Sequence, residues 1–276
     1  METVTVKTAD GVCYRAADSG HGHESSEAII CLHGFTGSKE SWMFLRGMFP
    51  GERMVMIDCL GHGETDAPVQ AARYSASRQV ADLAAVFDQL KLHKVKLIGY
   101  SMGGRLAYSF AQAFPHRVSA LVLESTTPGL STLQERKKRI QSDRKLADFI
   151  LREGITSFVD YWESIPLFAT QLSLPDSVKA SIRAGRLKNN PFGLAGSLLG
   201  MGTGSQPSWW EALHRIKAPV LLICGEWDEK FCAINQKVHN LLPSSKIEVV
   251  KQAGHTVHVE QPRIFGKIVS EFLYGL

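Results

Sequence analysis

The stretch from Val95 to Phe114 changes its period once, and that change constrains the fold more than any other feature of the chain. Val95 to Ile98 is a continuous apolar run, short enough to be a buried strand. Beyond Gly99 the residues Leu106, Ala107, Phe110, Ala111 and Phe114 recur at helical spacing. Between the two lies Gly99-Tyr100-Ser101-Met102-Gly103, a G-x-S-x-G pattern. Glycines two before and two after the serine permit a strand-to-helix elbow too tight for side chains at those positions, with the Ser101 hydroxyl lifted off the sheet. The elbow also aims the free N–H groups of a helix N-terminus at the space beside that oxygen. Glycines between a strand and a helix can serve packing alone, so the rest of the chain decides what this elbow is for.

Around it the pattern is that of a parallel sheet. Thr3 to Val6 and Val12 to Ala16 read as a hairpin turning near Asp10-Gly11, and Ser19 to Ser26 as a polar loop. Glu27 to Leu32 is an apolar strand running into His33-Gly34-Phe35-Thr36-Gly37; Met54 to Asp58 is another, ending in Gly61-His62-Gly63. Ser77 to Leu90 reads as a helix N-capped by Ser77, with Val80, Leu83, Ala84 and Phe87 on its apolar face. Ala120 to Leu123, Pro219 to Cys224 and Ile247 to Val250 are further strands, and a last helix runs from about Gln261 to Leu273. Short apolar runs alternating with helices predict a mostly parallel α/β sheet covered on both faces. From Pro128-Gly129 to about Gln206 no strand-like run occurs, so residues 129–206 read as a helical cap inserted into a core of 1–128 and 207–276.

Several function classes are excluded. The first ten residues lack the basic and apolar regions of a signal peptide, and no apolar run approaches the ~18 residues of a membrane span. The five cysteines are odd in number and show no C-x-x-C spacing, which predicts reduced, buried thiols in a cytoplasmic protein and no metal site. A net charge of +4 is too small to suggest nucleic acid. Gly200-x-Gly202-x-Gly204 does not follow a strand of a βαβ unit and is not a dinucleotide fingerprint. Oligomeric state is not legible.

A serine hydroxyl needs a neighbouring imidazole, and the imidazole an orienting acid. Elbows of this kind take the acid and then the histidine from later in the chain. The loop after Val220 to Cys224 offers Glu226, Asp228 and Glu229; the loop after Ile247 to Val250 offers His255. Ser101, Asp228 and His255 are therefore the expected triad. His258 is a rival base and Glu124, at a strand end, a rival acid; His255-x-x-His258 has no evident third ligand for a metal. His33 and His62, beside glycines in strand-end loops, are expected to shape the site. The backbone N–H groups of Met102 and Phe35 are the expected oxyanion hole.

The H-G-F loop, the G-x-G after Asp58, the elbow, the acid and the histidine together resemble the α/β-hydrolase superfamily along the whole chain. Gly61-His62-Gly63-Glu64 departs from the small residue or serine more frequent after G-x-G, which touches only loop detail. Two features go further. Arg105 lies one helical turn after Ser101, where it is either one half of a structural ion pair or a carboxylate-binding group. Charge is also unevenly spread: residues 129–206 hold eleven Lys and Arg against seven Asp and Glu, an excess equal to the net +4 of the chain. That points to a polyanionic small molecule held beneath the cap.

Gly99-Tyr100-Ser101-Met102-Gly103-Gly104-Arg105, Glu124 with Pro128-Gly129-Leu130, Arg136-Lys137-Lys138-Arg139 before Ser142-Asp143, Tyr161-Trp162 with Pro166-Leu167-Phe168, Arg186 before Asn189-Asn190, and Gly202-Thr203-Gly204 with Pro207-Ser208-Trp209-Trp210 closely resemble the 2-succinyl-6-hydroxy-2,4-cyclohexadiene-1-carboxylate synthase family of menaquinone biosynthesis. The resemblance implies a lyase that expels pyruvate from a tricarboxylate, with Ser101 acting as a base. It implies that Arg105, Arg139 and Arg186 bind carboxylates, that Tyr100, Phe35 and Trp162 line the pocket, and that no cofactor is required. The other readings of the same residues are a serine hydrolase working through an acyl-enzyme on an acidic substrate, and a ligand receptor without turnover.

Overall fold

The computed structural model describes residues 1–20 and 27–276. Most of the expected polar loop, from residue 21 to 26, lies outside the described residues.

Among the described residues eight strands form one sheet: β1 (Glu2–Lys7), β2 (Cys13–Asp18), β3 (Glu27–Leu32), β4 (Met54–Ile57), β5 (Lys94–Tyr100), β6 (Val118–Glu124), β7 (Val220–Gly225) and β8 (Ser245–Val250), in the order β1-β2-β4-β3-β5-β6-β7-β8. β1 and β2 are the antiparallel hairpin, β2 pairs antiparallel with β4, and every other pair is parallel. The parallel strands are apolar at successive positions because both faces are covered. Ala28, Ile30 and Leu32 of β3 point into one apolar cluster; Ile29 and Cys31 point into the other.

The first cluster is closed by α1 (Ala76–Gln89), α2 (Met102–Ala113) and α6 (Glu229–His239), through Leu83, Phe87, Phe110 and Val238. The second is closed by the 3-10 segment Lys39–Leu45, through Trp42 and Leu45, and by α8 (Pro262–Tyr274), through Phe265 and Val269. The helix read from Ser77 starts at Ala76, with Ser75 as N-cap and no side-chain cap bond, so the expected Ser77 cap is corrected. Between β6 and β7 the regular elements are helical: α3 (Leu133–Ser164), α4 (Asp176–Leu187) and α5 (Pro191–Met201), with 3-10 turns. α3 and α5 share an apolar cluster of their own, Ala147, Ile150, Phe158, Val159, Leu194, Ala195 and Leu198. α3 begins with a reciprocal Thr132–Glu135 capping box and breaks at Gly154, where φ is 80° and ψ 175°. Among the described residues no helix is long and apolar enough to cross a membrane, and the five cysteines are free thiols.

The chain leaves β3 for β4 on one side and returns to β5 on the other. That reversal leaves a crevice at the carboxyl ends of β3 and β5, where open α/β sheets hold their ligands. Ser101 follows β5 directly.

Candidate active site

Ser101 has φ 47° and ψ −103°, a left-handed backbone that a non-glycine residue adopts only under constraint. The constraint is visible in its neighbours. A Cβ on Gly99 would lie 2.7 Å from the main chain of Gly103 and Gly104, and one on Gly103 would collide with the Leu32 carbonyl. The Ser101 N–H donates to Glu124 O at 2.9 Å, and Thr126 Oγ1 donates to Ser101 O at 2.7 Å. β6 therefore holds the elbow from the side.

His255, 3% exposed, places Nε2 3.3 Å from Ser101 Oγ and Nδ1 2.7 Å from Asp228 Oδ2. With Asp228 accepting from Nδ1–H, Nε2 is the ring nitrogen left to take the serine proton. The imidazole packs between Phe231 (4.8 Å), Tyr100 (5.4 Å) and Phe168 (6.3 Å). Its loop is clamped by Glu260, whose carboxylate accepts from Gly254 N, Thr256 N and Thr256 Oγ1. The two rivals have bonded to each other: Glu124 accepts from His258 Nδ1 at 2.8 Å. His255 and His258 thus face different carboxylates, and among the described residues no three His, Cys, Asp or Glu cluster as metal ligands. His33 is fixed by bonds to Gly34 O and from Cys59 N, and its imidazole is held neutral by burial. His62 is fully buried, which pushes its pKa down to about 3.

Met102 is the first residue of α2, so its N–H has no acceptor within the helix, and the Phe35 N–H has no acceptor among the described residues. Both residues line a cavity of about 410 Å³ that also meets Ser101 and His255. Its apolar wall is Tyr100, Phe168 and Trp162, the Trp162 ring standing edge-on to Phe35 at 5.4 Å. Ser125, Thr126, Thr127, Ser197 and Lys230 line it too. They were not expected: Ser125, Thr126 and Thr127 are small polar residues after a strand, and Ser197 and Lys230 are single polar residues of helices, none of which carries a pattern of its own. Ser125, at φ 44° and with no partner for its buried Oγ among the described residues, was marked only by its place after Glu124.

The arginines differ in placement. Arg105 is 9% exposed and donates from Nη1 to Met201 O and to Gln206 Oε1, the latter at 2.6 Å. Both acceptors are neutral, and no carboxylate pairs with it among the described residues, so the ion-pair reading of Arg105 does not hold. Burial, with Arg139 nearby and only partly offset by Asp143, pushes its pKa down to about 9, which leaves it charged at neutral pH. Arg139 lines the same cavity, half-exposed, with Nε 2.7 Å from Asp143 Oδ1. Lys138 lines it as well, whereas Arg136 is tied to Gly204 O and Gln206 O. Arg186 stands apart, behind the Phe168 ring at 4.9 Å and bonded to Glu163 and Gln171. It faces a second cavity of about 180 Å³ that shares Phe35, Tyr100 and Phe168 with the first. The structure therefore brings Arg105 and Arg139 to the serine and leaves Arg186 one aromatic ring away.

The family model described as alpha/beta hydrolase fold matches residues 27–262. A Bacillus subtilis (strain 168) protein provisionally named 2-succinyl-6-hydroxy-2,4-cyclohexadiene-1-carboxylate synthase is 69% identical over the full length of both chains. A synthase of the same name from Salmonella paratyphi C is 33% identical, covering 87% of this chain and 91% of its own. Among solved structures, MenH from S. aureus matches with a TM-score of 0.90 and 34% identity over 94% of this chain and 98% of its own. A thermophilic esterase from Thermogutta terrifontis, solved with malate bound, matches at 0.84 and 25% over 100% of this chain and 99% of its own.

Proposed function

This chain belongs to the α/β-hydrolase fold family, among the 2-succinyl-6-hydroxy-2,4-cyclohexadiene-1-carboxylate synthases of menaquinone biosynthesis, and from that premise we propose how its residues work. The reaction removes pyruvate from 2-succinyl-5-enolpyruvyl-6-hydroxy-3-cyclohexene-1-carboxylate. The names fix the bonds. A 3-ene becomes a 2,4-diene, so the hydrogen lost is on C2, beside the succinyl ketone, and the bond broken joins C5 to the enolpyruvyl oxygen.

His255 Nε2 takes the Ser101 proton, and the Ser101 oxygen takes the C2 proton. The electron pair moves into C2=C3, the ring double bond shifts to C4=C5, and enolpyruvate leaves with the C5–O pair. The proton held on His255 returns to the leaving group, which becomes pyruvate. Asp228 orients His255 and stabilises the imidazolium. The Phe35 and Met102 N–H groups receive the charge that grows on the ketone oxygen. Arg105 and Arg139 bind carboxylates beside the serine, and Arg186 binds one from behind Phe168, with Tyr100 and Trp162 holding the ring. Residues 129–206 act as the cap over a core of 1–128 and 207–276. The enzyme works in the cytoplasm on a small polyanion, without nucleic-acid or membrane partners.

One observation carries this reading over simple ester hydrolysis: Arg105, buried one turn after Ser101, makes no ion pair among the described residues, and the carboxylate that acts on it from a distance, Asp143, is already paired with Arg139. A buried cation without a counter-charge is costly unless a ligand supplies one. The test is pyruvate release from the enolpyruvyl tricarboxylate, coupled to lactate dehydrogenase, beside p-nitrophenyl acetate hydrolysis. Fast pyruvate release with negligible ester cleavage is expected; ester cleavage without pyruvate would return the chain to the hydrolases.

A further inference from the structure

Two buried side chains beside the triad take no part in the elimination. Glu124 ends β6 at 0% exposure, and His258 sits in α7 (Val257–Glu260) at 3%. The His258 Nδ1–H is shared between the Glu124 oxygens at 2.8 and 2.9 Å, and the His258 main-chain N–H donates to Oε1 at 3.0 Å. At the same time the Glu124 carbonyl accepts the Ser101 N–H at 2.9 Å. One residue thus grips the nucleophile through its main chain and the segment that carries the base through its side chain.

The His258 ring is itself held. It stacks on Trp42 at 4.7 Å and 28°, and Tyr100 leans on it at 4.7 Å. Tyr100 also touches His255 and lines both cavities. A buried carboxylate–imidazole pair is expensive, and an apolar pair of similar volume would fill the same space at lower cost. Stability alone gives no reason for it. Position does: Ser101 Oγ and His255 Nε2 are 3.3 Å apart, at the long end of a hydrogen bond, and come from elements that Glu124 connects.

We propose that Glu124 and His258 are positioning residues for the triad, fixing the His255 loop against the Ser101 elbow and, through the His258 ring, the tilt of Tyr100 over the cavity. The inference rests on Ser101 being the reactive centre and deepens that reading. It also gives the two rivals of the triad one shared role.

The experiment compares wild type with Glu124→Gln, with His258→Asn, and with the double variant Glu124→Leu/His258→Phe. Asparagine keeps a donor near the position of Nδ1 and loses the ring; the double variant keeps a ring and loses the pair. Three quantities are read: the rate at which a fluorophosphonate labels Ser101, kcat and KM for pyruvate release, and Tm. Glu124→Gln and the double variant should lose about 10- to 100-fold in labelling rate and kcat, with KM within about threefold of wild type, as a small misplacement of reacting groups does. His258→Asn should recover most of the labelling rate but raise KM, because Tyr100 has lost its support. A folded double variant that labels and turns over like wild type would overturn the proposal and leave the pair a filler of the core. If Glu124→Gln alone unfolds, the apolar double variant decides. Labelling without pyruvate release in wild type would sink the proposed reaction while the labelling comparison still tests the pair.

Discussion

In the proposed reaction, Arg105 is the residue whose chemistry separates this site from an ordinary serine esterase. Its guanidinium is bonded only to neutral oxygens, so truncation removes a binding group without orphaning a buried acid. Arg105→Ala should lower kcat/KM for the tricarboxylate by about 100-fold or more, the loss of a charge-assisted contact in a dry site. Fluorophosphonate labelling of Ser101 should stay near wild type, and equal losses in both assays would show that the elbow itself had been damaged. Asp228→Asn should cost on the order of 1000-fold in turnover, since triad members act as a unit. The triad was legible because chain order, strand ends and residue types all limit it. The Glu124–His258 pair was not: its members are 134 residues apart, and each alone looks like a substitute for its neighbour in the triad. Glu260 was equally hidden, since a glutamate near a helix start reads as solvated surface. His62 offers a test by pH. Its folded pKa of about 3 lies below the ordinary 6.5, so between these values the unfolded chain binds a proton that the folded one does not. That contribution to stability is complete above pH 6.5 and falls by up to about 1.4 kcal/mol per pH unit on acidification towards 3. Urea unfolding of wild type and His62→Gln from pH 7 to 4 should show a shallower decline in the variant; parallel declines would remove His62 as a cause.

At the scale of elements, the parallel strands were placed to within about two residues, because each is a short apolar run bounded by loop residues. The cap of α1 shifted by two residues because Ser75 and Ser77, on either side of Ala76, offer the same cap, and Ser75 makes no cap bond with its side chain. The helical segment between β6 and β7 was legible only as the absence of strand pattern. Its break at Gly154 was not anticipated, since a single glycine in a helical pattern signals only a weaker helix. The break is conformational: a Cβ there would meet nothing within 4 Å, yet φ 80° with ψ 175° is a region that glycine alone occupies easily. Gly154→Ala should therefore cost about 1–3 kcal/mol in urea unfolding if the kink is kept. The apolar cluster of α3 and α5 packs against Phe35 and Trp162 at the cavity wall, so the same variant should raise KM for the tricarboxylate. Ser101 labelling should be untouched. Unchanged stability and KM together would mean that α3 tolerates another backbone there.

Over the whole molecule, charge is divided by region. Residues 129–206 carry an excess of four cations, equal to the net charge of the chain, so the remainder is balanced. Lys138 and Arg139 look into the cavity, while Lys137 and Arg144 are exposed on the same helix outside it. A substrate with three carboxylates meets this field before it meets the serine, and such steering is screened over about 8–10 Å at physiological salt. Raising ionic strength from about 10 to about 200 mM should lower kcat/KM for the tricarboxylate several-fold while leaving kcat unchanged. Lys137→Glu with Arg144→Glu should reduce kcat/KM at low salt and flatten its salt dependence, since the reversed charges remove the field and touch no catalytic group. Labelling of Ser101 by a neutral fluorophosphonate provides the control and should not respond to salt. If the charge-reversed variant kept the wild-type slope, the attraction would have to come from Arg105 and Arg139 inside the cavity, and the excess on the outer face of α3 would play no part in capture.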